Sequence, residues 1–214
     1  MANRMRDSSA MTDLARRAEP KQLRARQRID AIIAATQRLL GHRAPGDINT
    51  SAVAREAEIP VGSLYRYFPN IYAVYGAIFD RFNEEARAVI ERSPQIRAKG
   101  WEDELSISIA GIDQLFSDNP SYRALFLLAF TTPQLASLRE QWNAQMADHF
   151  AAGWSAGNDG FHGEEADVVA RMVVETYCAA QVLILRHWDS PAKRAAYSAE
   201  LMLILKRYLE KYLP

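Results

Sequence analysis

The sequence predicts an all-α protein of about nine helices. Apolar residues recur at helical spacing along most of the chain, no segment alternates with the period of two that a strand requires, and proline repeatedly stands where a helix would begin. With 214 residues, 49% of them apolar, the chain can build one large core or a small and a medium one.

Composition removes several classes of function. The single cysteine, Cys178, excludes an intrachain disulfide and a cysteine zinc site, and its apolar surroundings predict a small buried hydrophobe. His42, His149, His162 and His187 are scattered without metal-ligand spacing, so neither metal nor cofactor is expected. The longest unbroken apolar run, residues 124–130, cannot cross a bilayer, and no apolar leader opens the sequence. A cytoplasmic protein with no membrane partner is expected. Net charge is zero but unevenly spread. Residues 1–70 hold 12 Lys/Arg against 7 Asp/Glu, and residues 71–214 hold 14 against 19. A basic first third on an acidic body suits a polyanion bound at one end.

Residues 1–20 carry Arg4, Arg6, Arg16 and Arg17 with few large apolar side chains, and read as a flexible basic arm. From residue 21 to 40, Ile29, Ile32, Ile33, Thr36, Leu39 and Leu40 share one helical face. Gly41 and Pro45-Gly46 end that helix. Thr50 is the predicted cap of a short helix to residue 57 that buries Val53 and Ala54. Pro60 and Gly62 open the next, whose inward side is Leu64 and Phe68, and Pro69-Asn70 closes it. A longer helix over 71–91 presents Tyr72, Tyr75, Ile78, Phe79, Phe82, Ala86 and Val89 on one broad face. Helices over 101–118, 120–130, 133–153, 164–188 and 191–212 follow, separated by Ser-Pro-Gln, Asn-Pro, Thr-Thr-Pro, a Gly/Asn/Asp-rich stretch and Asp-Ser-Pro.

The last two helices are apolar on more than one face, so they must bury surface on two sides. One side meets their own core and the other a second copy. Val169, Met172, Val173, Ala180, Ile184, Leu201, Leu205 and Tyr208 are the predicted dimer contacts. Gly153-Trp154-Ser155-Ala156-Gly157 spells a hydrolase nucleophile elbow, but that motif needs a strand entering the turn, and here a helix enters. No catalytic residue is assigned, and an enzyme is not expected.

Residues 50–68 are the most informative stretch. Two short helices meet at a tight turn, and the second begins with Gly62 and Ser63, small enough to approach a base edge, ahead of Tyr65, Arg66 and Tyr67. With the preceding helix, this segment closely resembles the DNA-binding domain of the TetR family of transcriptional regulators. The resemblance is carried by Ile32 and Ala35, then Thr50, Val53-Ala54 and Ala57, then Ile59, Gly62, Ser63 and the run Leu64-Tyr65-Arg66-Tyr67-Phe68-Pro69-Asn70. The motif spans about residues 24–82. Beyond it only length and helix count correspond.

The resemblance implies residues 21–70 as a three-helix helix-turn-helix domain and 71–214 as an effector-binding and dimerisation domain. It implies a homodimeric regulator, a repressor in the expected case, that binds a palindromic DNA operator and is released by a small hydrophobic effector. An all-α enzyme or small-molecule-binding protein with a vestigial helix-turn-helix is the alternative. Val61, Gly62, Ser63 and Arg66 would face the major groove, with Arg66 bidentate on a guanine. Tyr65 and Tyr67, with Thr50 and Ser51 at the start of the second helix, would reach phosphates. The effector is expected among Phe79, Phe82, Phe116, Phe126, Phe130, Trp142, Gln145, Met146, His149, Phe150 and Glu175. The chain departs from the family pattern in three places. Glu58 replaces a usual glycine, Pro60 a usual capping serine, and Ile71 a usual phosphate-contacting lysine.

Overall fold

The computed structural model describes the backbone of residues 8–91 and 100–214, with side chains from residue 23 onward. Among the described residues there are nine α-helices and two short 3-10 turns, and no strand. They divide into two compact units with the boundary between Val74 and Tyr75.

The first unit holds α1 (Ser8–Leu40), α2 (Thr50–Glu56), α3 (Val61–Tyr65) and the start of α4 (Ile71–Ile90). The first helix begins at Ser8, so residues 8–20, expected as an arm, are helical; Ala, Arg, Leu, Met and Glu there favour a helix. Residues 1–7 of that arm, including Arg4 and Arg6, lie outside the described residues, as do the side chains of Arg16 and Arg17. The inward face of α1 is Ile32, Ile33, Ala35, Thr36, Leu39 and Leu40, all buried. Thr36 is tolerated there because its Oγ1 donates to the Ile32 carbonyl at 2.8 Å. Val53 and Leu64 complete the core from α2 and α3, each fully buried.

The cap of α2 is Asn49, not Thr50. Asn49 Oδ1 accepts from the Ala52 N–H at 2.9 Å, satisfying one of the amides that a helix start leaves open. Asn70 does the same for α4, accepting from Ala73 N–H at 3.0 Å. Along α4 the buried set is Val74, Tyr75, Ile78, Phe79, Phe82, Ala86 and Ile90. Tyr72, expected on that face, is 37% exposed.

The second unit contains the rest of α4 and α5 (Trp101–Asp118), α6 (Pro120–Ala129), α7 (Pro133–Ser155), α8 (Ala166–Arg186) and α9 (Pro191–Leu209). The Ser-Pro-Gln separator falls at 93–95, outside the described residues. Three of these helices begin on proline, whose missing N–H costs nothing in a first turn. Glu102, Asp103 and Glu104 occupy the first turn of α5, where carboxylates complement the helix dipole. α8 packs against both α7 and α9. By length and composition α8 also passes as a membrane span, but more than half of that stretch is buried inside the fold, as in a core helix. Gly111 has a packing reason: a Cβ there would lie 2.5 Å from Val89 Cγ1, so α4 and α5 meet closely at that point.

Two ring assemblies organise this unit. Phe82 is the hub of the first, with centroids of Phe116 at 5.0 Å, Tyr122 at 5.3 Å, Trp142 at 6.0 Å and Phe126 at 6.3 Å. The second is a ladder. Phe150 stacks on Trp154 at 6.0 Å, Trp154 on Phe161 at 5.2 Å, and Phe161 on Tyr212 at 6.0 Å. That ladder, with His162 N–H donating to the Tyr212 carbonyl at 3.0 Å, fastens the Gly/Asn/Asp-rich stretch to the C-terminal segment.

Candidate nucleic-acid interface and ligand cavities

The α2–α3 turn is a complete Schellman arrangement. Ile59 N–H donates to the Ala54 carbonyl at 2.9 Å and Glu58 N–H to the Arg55 carbonyl at 3.1 Å, while Ile59 plugs into the core. The residue between helix end and plug must be left-handed, and Glu58 is, with φ 54°. The sequence signal at this position, a glutamate in a glycine's place, therefore marks real backbone strain of about 1 kcal/mol. Pro60 stands at the cap of α3 with no side-chain cap bond, as its chemistry requires.

From this turn, α3 divides its residues cleanly. Leu64 is fully buried and Phe68 nearly so, and both anchor the helix. Val61, Gly62, Tyr65 and Arg66 are exposed, and Ser63 and Tyr67 are half-buried. Nothing lies within 4 Å of where a Gly62 Cβ would be, so the fold itself places no demand for glycine there. The absence of a side chain leaves the helix surface flat and open. Arg66 is the C-cap residue of α3 rather than an interior one, and Tyr67 follows in the turn.

Tyr65 is both exposed and tied to the neighbouring helix. It is 52% exposed, yet its phenol oxygen sits 2.9 Å from Thr50 Oγ1. That contact ties the start of α2 to the end of α3 and brings Thr50 and Tyr65 into one polar spot, with Ser51 exposed beside it. Sequence reasoning named both residues but not the bond. It also missed the strut behind α2: Arg38 Nε donates to Glu56 Oε1 at 2.7 Å, and Arg38 Nη2 to the Glu56 carbonyl at 3.2 Å. The hydrogen bond from Arg38 holds the Glu56 carboxyl below its ordinary range.

In the second unit, two small adjoining cavities share Ile90, Leu105, Ser108, Phe150 and Val173 in their walls. The inner one, about 60 Å³, is also lined by Trp142, Met146 and Tyr177. The outer one, about 90 Å³, reaches His149, Glu104 and Asp159. Of the residues expected at an effector, Trp142, Met146, His149 and Phe150 line these cavities. Phe79, Phe82, Phe116 and Phe126 do not; they close on one another as buried packing, with Phe130 5.4 Å from Phe126 at the cluster's edge. Gln145 is engaged by Arg87 at 3.4 Å, and Glu175 by Asn143 at 3.0 Å and Arg171 at 2.8 Å. Cys178 is buried, donates to Asn143 Oδ1 at 3.4 Å, and burial pushes its thiol upward, which keeps it protonated.

A third, open cleft of about 340 Å³ lies between α5 and the α8–α9 turn. Its charged groups are spoken for. Asp113 accepts from Gln181 at 3.0 Å, and Trp188 is held between the Arg123 and Arg194 guanidinium groups, each 4.3 Å from its ring.

The predicted dimer contacts need correction. Val169, Val173, Ile184, Leu201 and Leu205 are at most 7% exposed, because they face the subunit's own core. Ala180 and Tyr208 are half-buried, and Met172 is exposed. The large apolar residues facing outward on these two helices are Val168, Met172 and Leu183 on α8, and Tyr197, Leu203 and Ile204 on α9. Ser155 of the G-x-S-x-G run is the last residue of α7, entered by helix as the sequence suggested.

Residues 32–78 match the family model described as bacterial regulatory proteins, tetR family, and residues 101–209 match that of the tetracyclin repressor-like C-terminal domain. No curated protein matches the sequence. Among solved structures, a TetR-family transcriptional regulator from Streptomyces coelicolor superposes with a TM-score of 0.60 at 24% identity, covering 87% of this chain and 99% of that one. The SmeT–triclosan complex gives 0.63 at 17% identity, over 88% and 92%. The fatty acid degradation regulator FadR from Bacillus halodurans gives 0.60 at 15% identity, over 83% and 94%. The two family matches together take in both units, and the chain belongs to the TetR family of DNA-binding transcriptional regulators.

Proposed function

We propose that this protein is a homodimeric repressor of a palindromic operator, released by a small hydrophobic effector. Residues 21–70 read the DNA, residues 71–214 pair the subunits and take the effector, and residues 1–20 add positive charge along the duplex. Thr50 and Ser51 would meet phosphate, Val61, Gly62, Ser63 and Arg66 the major groove, and Tyr65 and Tyr67 the backbone beside it. Two copies would set their α3 helices in successive grooves about 34–36 Å apart.

One observation carries this reading. Val61, Gly62, Tyr65 and Arg66 are exposed together on α3, and the packing of the unit uses none of their exposed surface except through the Tyr65–Thr50 bond. The outward apolar residues of α8 and α9 support pairing, since a second copy would cover them. The adjoining cavities beside Trp142 support an effector site there, and a solved neighbour is a complex with triclosan. The cavities are far below the roughly 300 Å³ of an occupied drug-sized site, so effector entry would have to open them. A ligand that binds the opened state better shifts the equilibrium toward it.

A mobility-shift assay with the DNA upstream of the protein's own gene tests the reading. Sequence-selective binding is expected at physiological salt. Binding that falls steeply with salt but ignores sequence would defeat it.

A further inference from the structure

The open cleft lies where α5 and α9 part. Near the start of α5 the two helices meet in antiparallel register: Lys206 Nζ reaches Glu102 Oε2 at 2.9 Å, and Ser106 Oγ reaches Met202 Sδ at 3.9 Å. The same register, carried toward the start of α9, sets Ala110 opposite Ser198 and Ser117 opposite Pro191. These side chains are short, and about 340 Å³ stays open beside them. That volume is within the roughly 300–1,000 Å³ of occupied small-molecule sites. The cleft shares no wall residue with the two cavities beside Trp142, and its wall presents polar as well as apolar surface.

The charges in that wall are held in place but not cancelled. Asp113 comes from α5 and Arg194 from α9, and the partners that fix them are neutral. The Gln181 amide donates to Asp113 Oδ1 at 3.0 Å, while Arg194 lies over the Trp188 ring and donates to the Trp188 carbonyl at 3.4 Å. Among the described residues neither forms an ion pair. The two are still near enough for Arg194 to draw the Asp113 carboxyl down, against the larger rise that burial imposes. A carboxylate accepts at both oxygens and a guanidinium carries several N–H donors, so each keeps capacity for a further partner.

This pair of fixed charges sorts ligands. An anion would gain Arg194 but be opposed by Asp113, and a cation the reverse. A neutral apolar molecule would take water from both charges and return nothing. A molecule with an ammonium and a carboxylate answers both, through charge-assisted hydrogen bonds to Asp113 and Arg194. Its apolar remainder would rest on Ala110, Pro191 and Ala195. We propose that this cleft is a second small-molecule site, apart from the effector cavities, and that it takes a zwitterion of the α-amino acid class.

Three compounds on one skeleton separate the alternatives: L-phenylalanine, phenethylamine, which lacks the carboxylate, and hydrocinnamate, which lacks the ammonium. Titration calorimetry on the full-length protein at neutral pH is expected to find L-phenylalanine bound about tenfold more tightly than either analogue. Asp113→Asn should weaken L-phenylalanine about tenfold and leave hydrocinnamate no weaker. Arg194→Gln should weaken L-phenylalanine by a similar factor and leave phenethylamine no weaker. A purely structural role for either residue would instead move all three ligands together. Ala195 is exposed and borders the cleft, so Ala195→Phe should fill it and block L-phenylalanine with the melting temperature unchanged. Arg194 also packs on Trp188; where its variant fails to fold, Asp113→Asn and Ala195→Phe carry the test. Either analogue binding as tightly as L-phenylalanine, binding of none of the three, unchanged L-phenylalanine affinity in a folded charge variant, all three ligands weakened alike, or undiminished binding in Ala195→Phe overturns the proposal. Each of these outcomes leaves the operator reading and the effector cavities untouched.

Discussion

The two units place the side chains of their candidate sites in opposite ways. In the first, they are pushed outward. Gly62 and Arg66 stand at the surface of α3 and its C-cap, while Leu64 and Phe68 anchor that helix in the core. In the second, they are drawn inward. Trp142, Tyr177 and Gln181 are buried with polar atoms left unpaired, and Asp113 is held among them. A DNA reader must present its chemistry to a partner larger than itself, so mutation there should change binding without changing stability. A small-molecule site must surround its partner, so mutation there should change both.

Arg66→Ala is the strongest way to break this contrast. It should cost specific operator binding a hundredfold or more at fixed salt, since a bidentate guanine contact is worth roughly 1–3 kcal/mol in each half-site. Its thermal melt should match the native one, because the side chain is exposed. Retained operator affinity would show that the outward face of α3 is not the reader. Leu183→Glu comes next. Leu183 is 44% exposed on α8, so the subunit should still fold while sedimentation finds lone subunits at concentrations where the native protein is paired. An unchanged sedimentation coefficient would move the pairing surface elsewhere.

Glu58→Gly sharpens the comparison from the stability side. Relief of the left-handed backbone at Glu58 should raise unfolding free energy by about 1 kcal/mol in a urea titration. Operator affinity should hold, because Glu58 lies in the α2–α3 turn and not on α3. The smallest effect belongs to Asp113→Asn. Burial raises the Asp113 carboxyl above its ordinary 3.8, opposed in part by the Gln181 hydrogen bond and by Arg194. Its contribution to stability is full below that ordinary value and is lost as pH rises through the folded-state value. Asn keeps the acceptor for Gln181 but cannot ionise. The variant should therefore gain slightly on the native protein at pH 7 and show no gain at pH 3. A variant less stable at pH 7 would mean that the Asp113 charge is used, not endured.

Recognition of the helix-turn-helix from sequence rested on short-range features. The small start of α3, the buried Leu64 and Phe68 and the turn at Glu58 all lie within one stretch, where each residue's role follows from its neighbours. Even there one assignment slipped by a residue. Asn49, Thr50 and Ser51 are all good N-caps, and only backbone geometry gave the position to Asn49 and left Thr50 free to meet Tyr65. The dimer contacts slipped for a different reason. Val168 and Val169 are the same residue type in a helix apolar on more than one face, where spacing does not say which apolar face meets the core. The core took Val169 and left Val168 48% exposed.

The sequence by itself determined the class of fold, the reading motif, the buried inert cysteine and the strain at Glu58. Each of these is set by local backbone preference or by composition. Tertiary structure alone decided which aromatics became packing and which became cavity wall. Phe82 and Trp142 are both large, apolar and at helical spacing, yet Phe82 sits at the centre of a filled ring cluster while Trp142 also borders an open volume with its N–H unpaired. A cavity is a failure of several distant helices to meet, and no single segment encodes where that failure will fall.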